Sequence, residues 1–203
     1  MGRRGDHTYK QLNDMIIKAA YNLMEKEGYN KISTRKIAAE IGYTVGTLYN
    51  VFENLDDVFI HVNSLTLDKL HTALSQALKK AEKSNQKVQP IKALADAYIK
   101  FSQENFHLWC ALFEYRFPDE QIIPRWYIEK INNMYEFVTK TIINFDSSIP
   151  PESIKEVVMV LWSAIHGICA LSIKGKLDRA GSQSAQVLID NFLKNYLRGL
   201  SNH

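Results

Sequence analysis

The chain has 203 residues, enough for one large domain or a small module plus a larger one, and 46% are hydrophobic, ample for a core. Charged residues make up 23%, an ordinary share for a soluble protein, and a net charge of only +3 does not by itself announce a nucleic-acid partner. Cys110 and Cys169 lie far apart without a CxxC partner, which argues against a disulfide framework or a zinc site and for two small buried side chains in a reducing compartment.

Residues 1–9 carry Arg3 and Arg4 but no apolar stretch, so they are no signal peptide. They read either as a basic arm that reaches a DNA groove or phosphate, or as a solvated terminus. Leu12, Met15, Ile16, Ala19, Ala20, Leu23 and Met24 then mark one face of a helix from Tyr9 to Glu27, ended by Gly28. Ser33 opens a short amphipathic helix with Ile37, Ala38 and Ile41 turned inward. Gly42 breaks it, and Thr44 is placed to cap a second short helix whose inner face holds Leu48 and Phe52. Two short helices about a tight glycine turn form a helix-turn-helix, whose second helix can lie in the DNA major groove. The expected core of this module is Ile16, Ala20, Leu23, Ile37, Ile41, Leu48 and Phe52.

Asn54 caps the next helix, which runs to about Lys83 with Asp56 and Asp57 in its first turn, where the dipole favours carboxylates. The polar run Ser84 to Gln89, closed by Pro90, marks a boundary. Residues 1–55 are therefore expected to form the module, 54–83 the connecting helix and 84–203 a larger helical domain. Helical stripes continue through Ile91 to Asn105, Leu108 to Tyr115 and Trp126 to Ile142. They resume from Pro151 to Lys174 and from Ala185 to Leu200. No strand-like alternation and no repeat occurs, so the fold class is all-α with about nine helices. The near-apolar run Val157 to Ile173 is at the short edge of membrane-spanning length and is interrupted by Ser163, His166, Gly167 and Ser172. It reads as a helix buried among others, and the protein as cytoplasmic.

The stretch Ile32 to Phe59, ISTRKIAAEIGYTVGTLYNVFENLDDVF, resembles the DNA-binding signature of the TetR family of bacterial transcriptional regulators. The resemblance runs through Gly28-Tyr29, Ser33-Thr34-Arg35, Ile37-Ala38, the Gly42 turn, Gly46-Thr47-Leu48-Tyr49 and Phe52. It implies that Tyr43, Thr44, Val45 and Thr47 occupy the exposed start of the recognition helix. The hydroxyls would bond bases or phosphates, Val45 would touch a thymine methyl, and Gly46 would let the backbone approach. Tyr49 would turn its hydroxyl to a phosphate, against a reading in which it is partly packed. Thr34 and Arg35 open the first short helix, where a phosphate is favoured and Arg35 could also reach a base; Lys36 faces DNA or solvent. Eight Lys/Arg balance eight Asp/Glu in residues 1–60, so a DNA footprint depends on where charges sit. Val51 and Leu55 stand where family members often carry phosphate-binding residues, which predicts weaker or less salt-sensitive binding than in a typical relative.

Further on, Leu161-Trp162-Ser163-Ala164-Ile165-His166-Gly167 resembles the Trp…His-Gly signature of a subset of TetR C-terminal domains. Trp162 and His166 are i, i+4 on one face, and Gly167 would permit close helix contact. His166 is either a hydrogen-bonded core histidine or a pocket residue. A cavity walled by Trp109, Phe113, Tyr135, Trp162 and His166 would suit a largely apolar effector with one polar group. The resemblance further implies a homodimer through the last two long helices, with Leu188, Phe192 and Tyr196 at the interface, and a near-palindromic operator in double-stranded DNA. It implies a repressor released by its effector. Six scattered histidines and the absence of HExxH, GxSxG or a phosphate loop give no catalytic residue, metal site or cofactor, so the chain is not expected to be an enzyme. The alternative is an all-α small-molecule or protein-binding module that has lost operator recognition.

Overall fold

A computed structural model describes residues 7–83, 89–145, 147, 149–179 and 184–200. Arg3 and Arg4, most of the polar boundary at 84–88, and Ser182 and Gln183 of the last loop lie outside the described residues. Every regular element among the described residues is helical. In order these are α1 (Tyr9–Glu27), a 3-10 turn (Tyr29–Lys31), α2 (Thr34–Ile41), α3 (Val45–Tyr49), α4 (Leu55–Ala81) and α5 (Gln89–Glu104). There follow α6 (Phe106–Phe113), α7 (Arg125–Phe145), α8 (Pro151–Ile173), α9 (Lys176–Arg179) and α10 (Ala185–Leu200). Since α9 is a single turn, nine longer helices make the all-α fold that the apolar periodicity predicts.

The chain divides into two compact units, Met1–Asp68 with Asn105–Ile128, and Lys69–Glu104 with Glu129–His203. The division differs from a break at residue 84 because α6 returns to pack on α1. Leu108 and Ala111 of α6 join Ile16, Ala20, Met24, Ile37, Leu48, Phe52, Phe59 and Val62 in one buried cluster. Leu23 and Ile41 of the expected core are only partly buried against that cluster. Leu48 is 2% exposed, and burying such a side chain contributes roughly 1.5–3 kcal/mol.

Local chemistry sets each helix end of the first unit. Thr8 and Gln11 form a reciprocal capping box at α1, with Thr8 N donating to Gln11 Oε1 (2.7 Å) and Gln11 N to Thr8 Oγ1 (3.3 Å). Gly28 at φ 84° stops α1. Ser33 caps α2 through the Lys36 amide, and Gly42 closes it in the left-handed region at φ 73°, ψ 26°. Asn54 caps α4, its Oδ1 accepting from Asp57 N at 2.8 Å while its Nδ2 donates to Gln121 Oε1 at 3.0 Å.

In the second unit α5, α8 and α10 pack against one another. Ala185, Ile189, Leu193 and Leu197, spaced by four, form the buried face of α10. Ile154, Val157, Val158, Leu161 and Cys169 form that of α8. Helix α8 is long and apolar enough to cross a membrane; only 22% of its apolar stretch is buried, the face that meets α5 and α10, so it is not the helix buried among others that its composition predicts. Lys92 ties α5 to α10 through Asp190 (2.6 Å) and also pairs with Asp96 (3.1 Å).

Candidate functional site

The two short helices α2 and α3 meet at Gly42, whose left-handed backbone lets Tyr43 N turn back to Ala38 O at 2.9 Å. Leu48 anchors α3 in the core from one side, which leaves the other side to Gly46, Thr47 and Tyr49. Tyr49 is 54% exposed on that side. Gly46 is exposed, and a Cβ built there would meet only Thr44 Oγ1, at 3.8 Å. No protein neighbour demands the glycine, and the space above it is open.

Several side chains behave differently from their sequence reading. Thr44 has the extended backbone of an N-cap, but its hydroxyl makes no capping bond; it lies 3.2 Å from the Thr47 hydroxyl instead. Helix α3 therefore begins without a side-chain cap. Val45 is partly buried against the module core. The Tyr43 hydroxyl is engaged by His7 Nδ1 at 2.6 Å. Lys36, exposed, pairs with Glu27 Oε2 at 2.8 Å, and this ammonium holds the Glu27 carboxyl below its ordinary range. Thr34 is half-buried at the start of α2, while Arg35 is exposed with no ion-pair partner among the described residues. Val51 and Leu55 pack against the core, partly buried.

The aromatic residues divide between the units. Trp109 is fully buried and Phe113 half-buried in the first, their rings 5.3 Å apart. In the second, Tyr135, Trp162 and His166 come together: Tyr135 meets Trp162 edge-on at 6.3 Å, and Trp162 lies over His166 at 5.2 Å. Tyr98, buried on α5, completes the group with its hydroxyl 2.8 Å from His166 Nδ1. A Cβ at Gly167 would meet nothing within 4 Å, so the close helix contact expected there is not made within the described chain. Leu188, Phe192 and Tyr196 are half-buried along α10, with the last two rings stacked at 5.4 Å. The apolar stripe Ile91, Leu94, Ala95, Tyr98 and Phe101 puts Tyr98 on an inner face but does not reveal its partner, and no motif marks His7.

Two short helices at a left-handed glycine, the second with one anchored and one open side, define a helix-turn-helix protein. The chain matches the family described as "Bacterial regulatory proteins, tetR family" over residues 16–62 and that described as "Tetracyclin repressor-like, C-terminal domain" over residues 91–194. It belongs to the tetR family. Among curated proteins it is similar to an HTH-type transcriptional regulator of Staphylococcus aureus strain USA300, 31% identical over 96 residues, which are 47% of this chain and 50% of that protein. The match thus spans about half the length of such relatives. Among solved structures, a protein of unknown function from Rhodococcus sp. RHA1 superposes with a TM-score of 0.76 at 19% identity, covering 98% of each chain. A tetR-family transcriptional regulator from Streptomyces coelicolor does so at 0.61 and 14% identity, covering 95% of this chain and 80% of that one. At these identities the likeness concerns the fold.

Proposed function

We propose that the protein is a DNA-binding transcriptional repressor that reads a near-palindromic operator as a homodimer. The observation that carries this reading is the outward side of α3, where Gly46, Thr47 and the exposed Tyr49 line a short helix held from behind by Leu48. Thr44, Thr47 and Val45 address base edges in the major groove, while Tyr49, Thr34 and Arg35 grip phosphates. A dimer follows from apolar side chains left exposed on the second unit: Met159, Val160 and Leu171 on α8 and Val187 on α10. Pairing α8 and α10 with their copies, with Leu188, Phe192 and Tyr196 included, buries these in a two-fold interface. Two recognition helices then meet successive major grooves.

The second unit carries a regulatory site of the Trp…His-Gly kind, formed by Tyr98, Tyr135, Trp162 and His166. Three aromatic rings and one imidazole suit a small, largely apolar effector with a single polar group. Such a molecule releases DNA if it prefers a conformation in which the recognition helices are wrongly spaced. Helix α4, which contributes residues to both units, is assigned the transmission of that change. DNA as the target makes the protein cytoplasmic. A selection of genomic fragments tests the reading: an enriched palindrome supports it, whereas uniform binding to all fragments or none at all refutes it. An effector screen on the selected operator then tests release, and no shift in affinity or melting temperature from any compound counts against the regulatory site.

A further inference from the structure

The residues at the start of α1 bracket the recognition helix. His7 Nδ1 lies 2.6 Å from the hydroxyl of Tyr43, just before α3, with the rings edge-to-face at 6.0 Å and 65°. Two residues on, the hydroxyl of Tyr9 donates to the carbonyl of Val51, just after α3, at 3.0 Å. Thr8 between them is fixed by the capping box of α1, so residues 7–9 form one ordered piece against both ends of α3.

An imidazole nitrogen is a much better acceptor than a phenolic oxygen, so Tyr43 donates and Nδ1 carries no proton. The bond thereby sets the tautomer, placing the hydrogen on Nε2. No described residue accepts from Nε2, and His7 is exposed. The result is a ring held at one nitrogen that offers a single outward N–H beside the start of α3. A phosphodiester has acceptors and no donors, which is the complement of such a group.

Resting on the DNA-binding reading above, we infer that His7 is a DNA-backbone contact: its Nε2–H donates to a phosphate oxygen flanking the groove entered by α3, and Tyr43 is the residue that orients it. Tyr43 then acts through His7 rather than by its own hydroxyl. This contact restores part of the backbone grip that Val51 and Leu55 do not supply.

The test uses the full chain and the operator recovered by fragment selection. His7→Ala weakens binding to operator and to random duplex by the same factor, about tenfold or more, because a phosphate contact carries no sequence information. Its melting temperature stays that of the wild type. His7→Gln, which keeps a donor at the position of Nε2, recovers part of the affinity. Tyr43→Phe weakens binding less than His7→Ala, and the double variant is no weaker than His7→Ala alone. In a scan of methylphosphonate-substituted operators, one phosphate per half-site penalises the wild type but not His7→Ala. Unchanged affinity in His7→Ala overturns the inference, as does a loss confined to operator, which would mean that His7 only holds α3 in place. A wild-type protein that binds no DNA overturns the repressor reading and this inference together.

Discussion

The Tyr115 hydroxyl donates to the carboxylate of Asp56, joining the segment that follows α6 to the first turn of α4. Tyr29 and Phe117 pack their rings edge-on against the same tyrosine, at 5.4 and 5.1 Å. Hydrogen bonds to a charged partner contribute about 1.5–3 kcal/mol, and half-exposure brings this one to the lower end. Tyr115→Phe, which keeps the ring, is expected to cost about 1 kcal/mol in urea unfolding. Asp56→Asn should cost a similar amount, and the two together no more than either alone.

Alkaline pH provides a second test. Burial pushes the Tyr127 hydroxyl up to about 12 from an ordinary 10.0, against the opposing effect of the Asn63 side chain. Because the folded-state value is raised, the unfolded chain loses this proton first. The stabilisation is complete below pH 10 and drains away as pH rises toward 12, by roughly 2 kcal/mol. Tyr115 is shifted upward as well, by burial and then by Asp56, and adds to the same slope. Thermal melts across this range should show the decline, and Tyr127→Phe should flatten it.

Glycines 28 and 42 should respond differently to alanine. Gly42 lies in the left-handed helical region with open space where a Cβ would go, so Gly42→Ala costs only backbone strain, about 1 kcal/mol. Gly28, at φ 84° and ψ 155°, is in a region nearly closed to other residues, and its Cβ would stand 3.0 Å from His107 Nδ1. Gly28→Ala should cost about 3 kcal/mol, and guanidinium unfolding of the two variants gives the ranking directly.

The Lys36–Glu27 pair predicts a gain of function. A paired ammonium gives little net attraction to phosphate, since the carboxylate follows it to the DNA. Glu27→Gln should therefore tighten binding to random duplex and steepen its dependence on salt. An unchanged salt slope in a fluorescence titration would show that Lys36 faces away from DNA.

Much of the helix-turn-helix was legible in the chain because each element carries its own local signal. Ser33 and Asn54 cap helices, Gly42 turns the chain, and Leu48 and Phe52 fall on one inner face, all within reach of near neighbours. Contacts between residues distant in sequence left no such trace. Leu108 and Ala111 look like ordinary positions of an apolar helix until α6 is seen to return to α1. Thr44 stands where a cap belongs, yet its hydroxyl prefers Thr47, a choice between two nearby partners that spacing cannot decide. Likewise, the link between Tyr98 and His166 depends on how α5 meets α8, and no one-dimensional period encodes that.

The return of α6 to α1 also bears on synthesis. Helix α1 ends at Glu27, but the side chains that close its core sit on Phe106–Phe113, some eighty residues later. A ribosome adds residues in order, so the first unit stays without part of its interior until that segment has emerged. Half-made chains thus have no finished DNA reader, and a gene fragment cut near residue 68 should yield a protein prone to aggregation rather than a small constitutive binder.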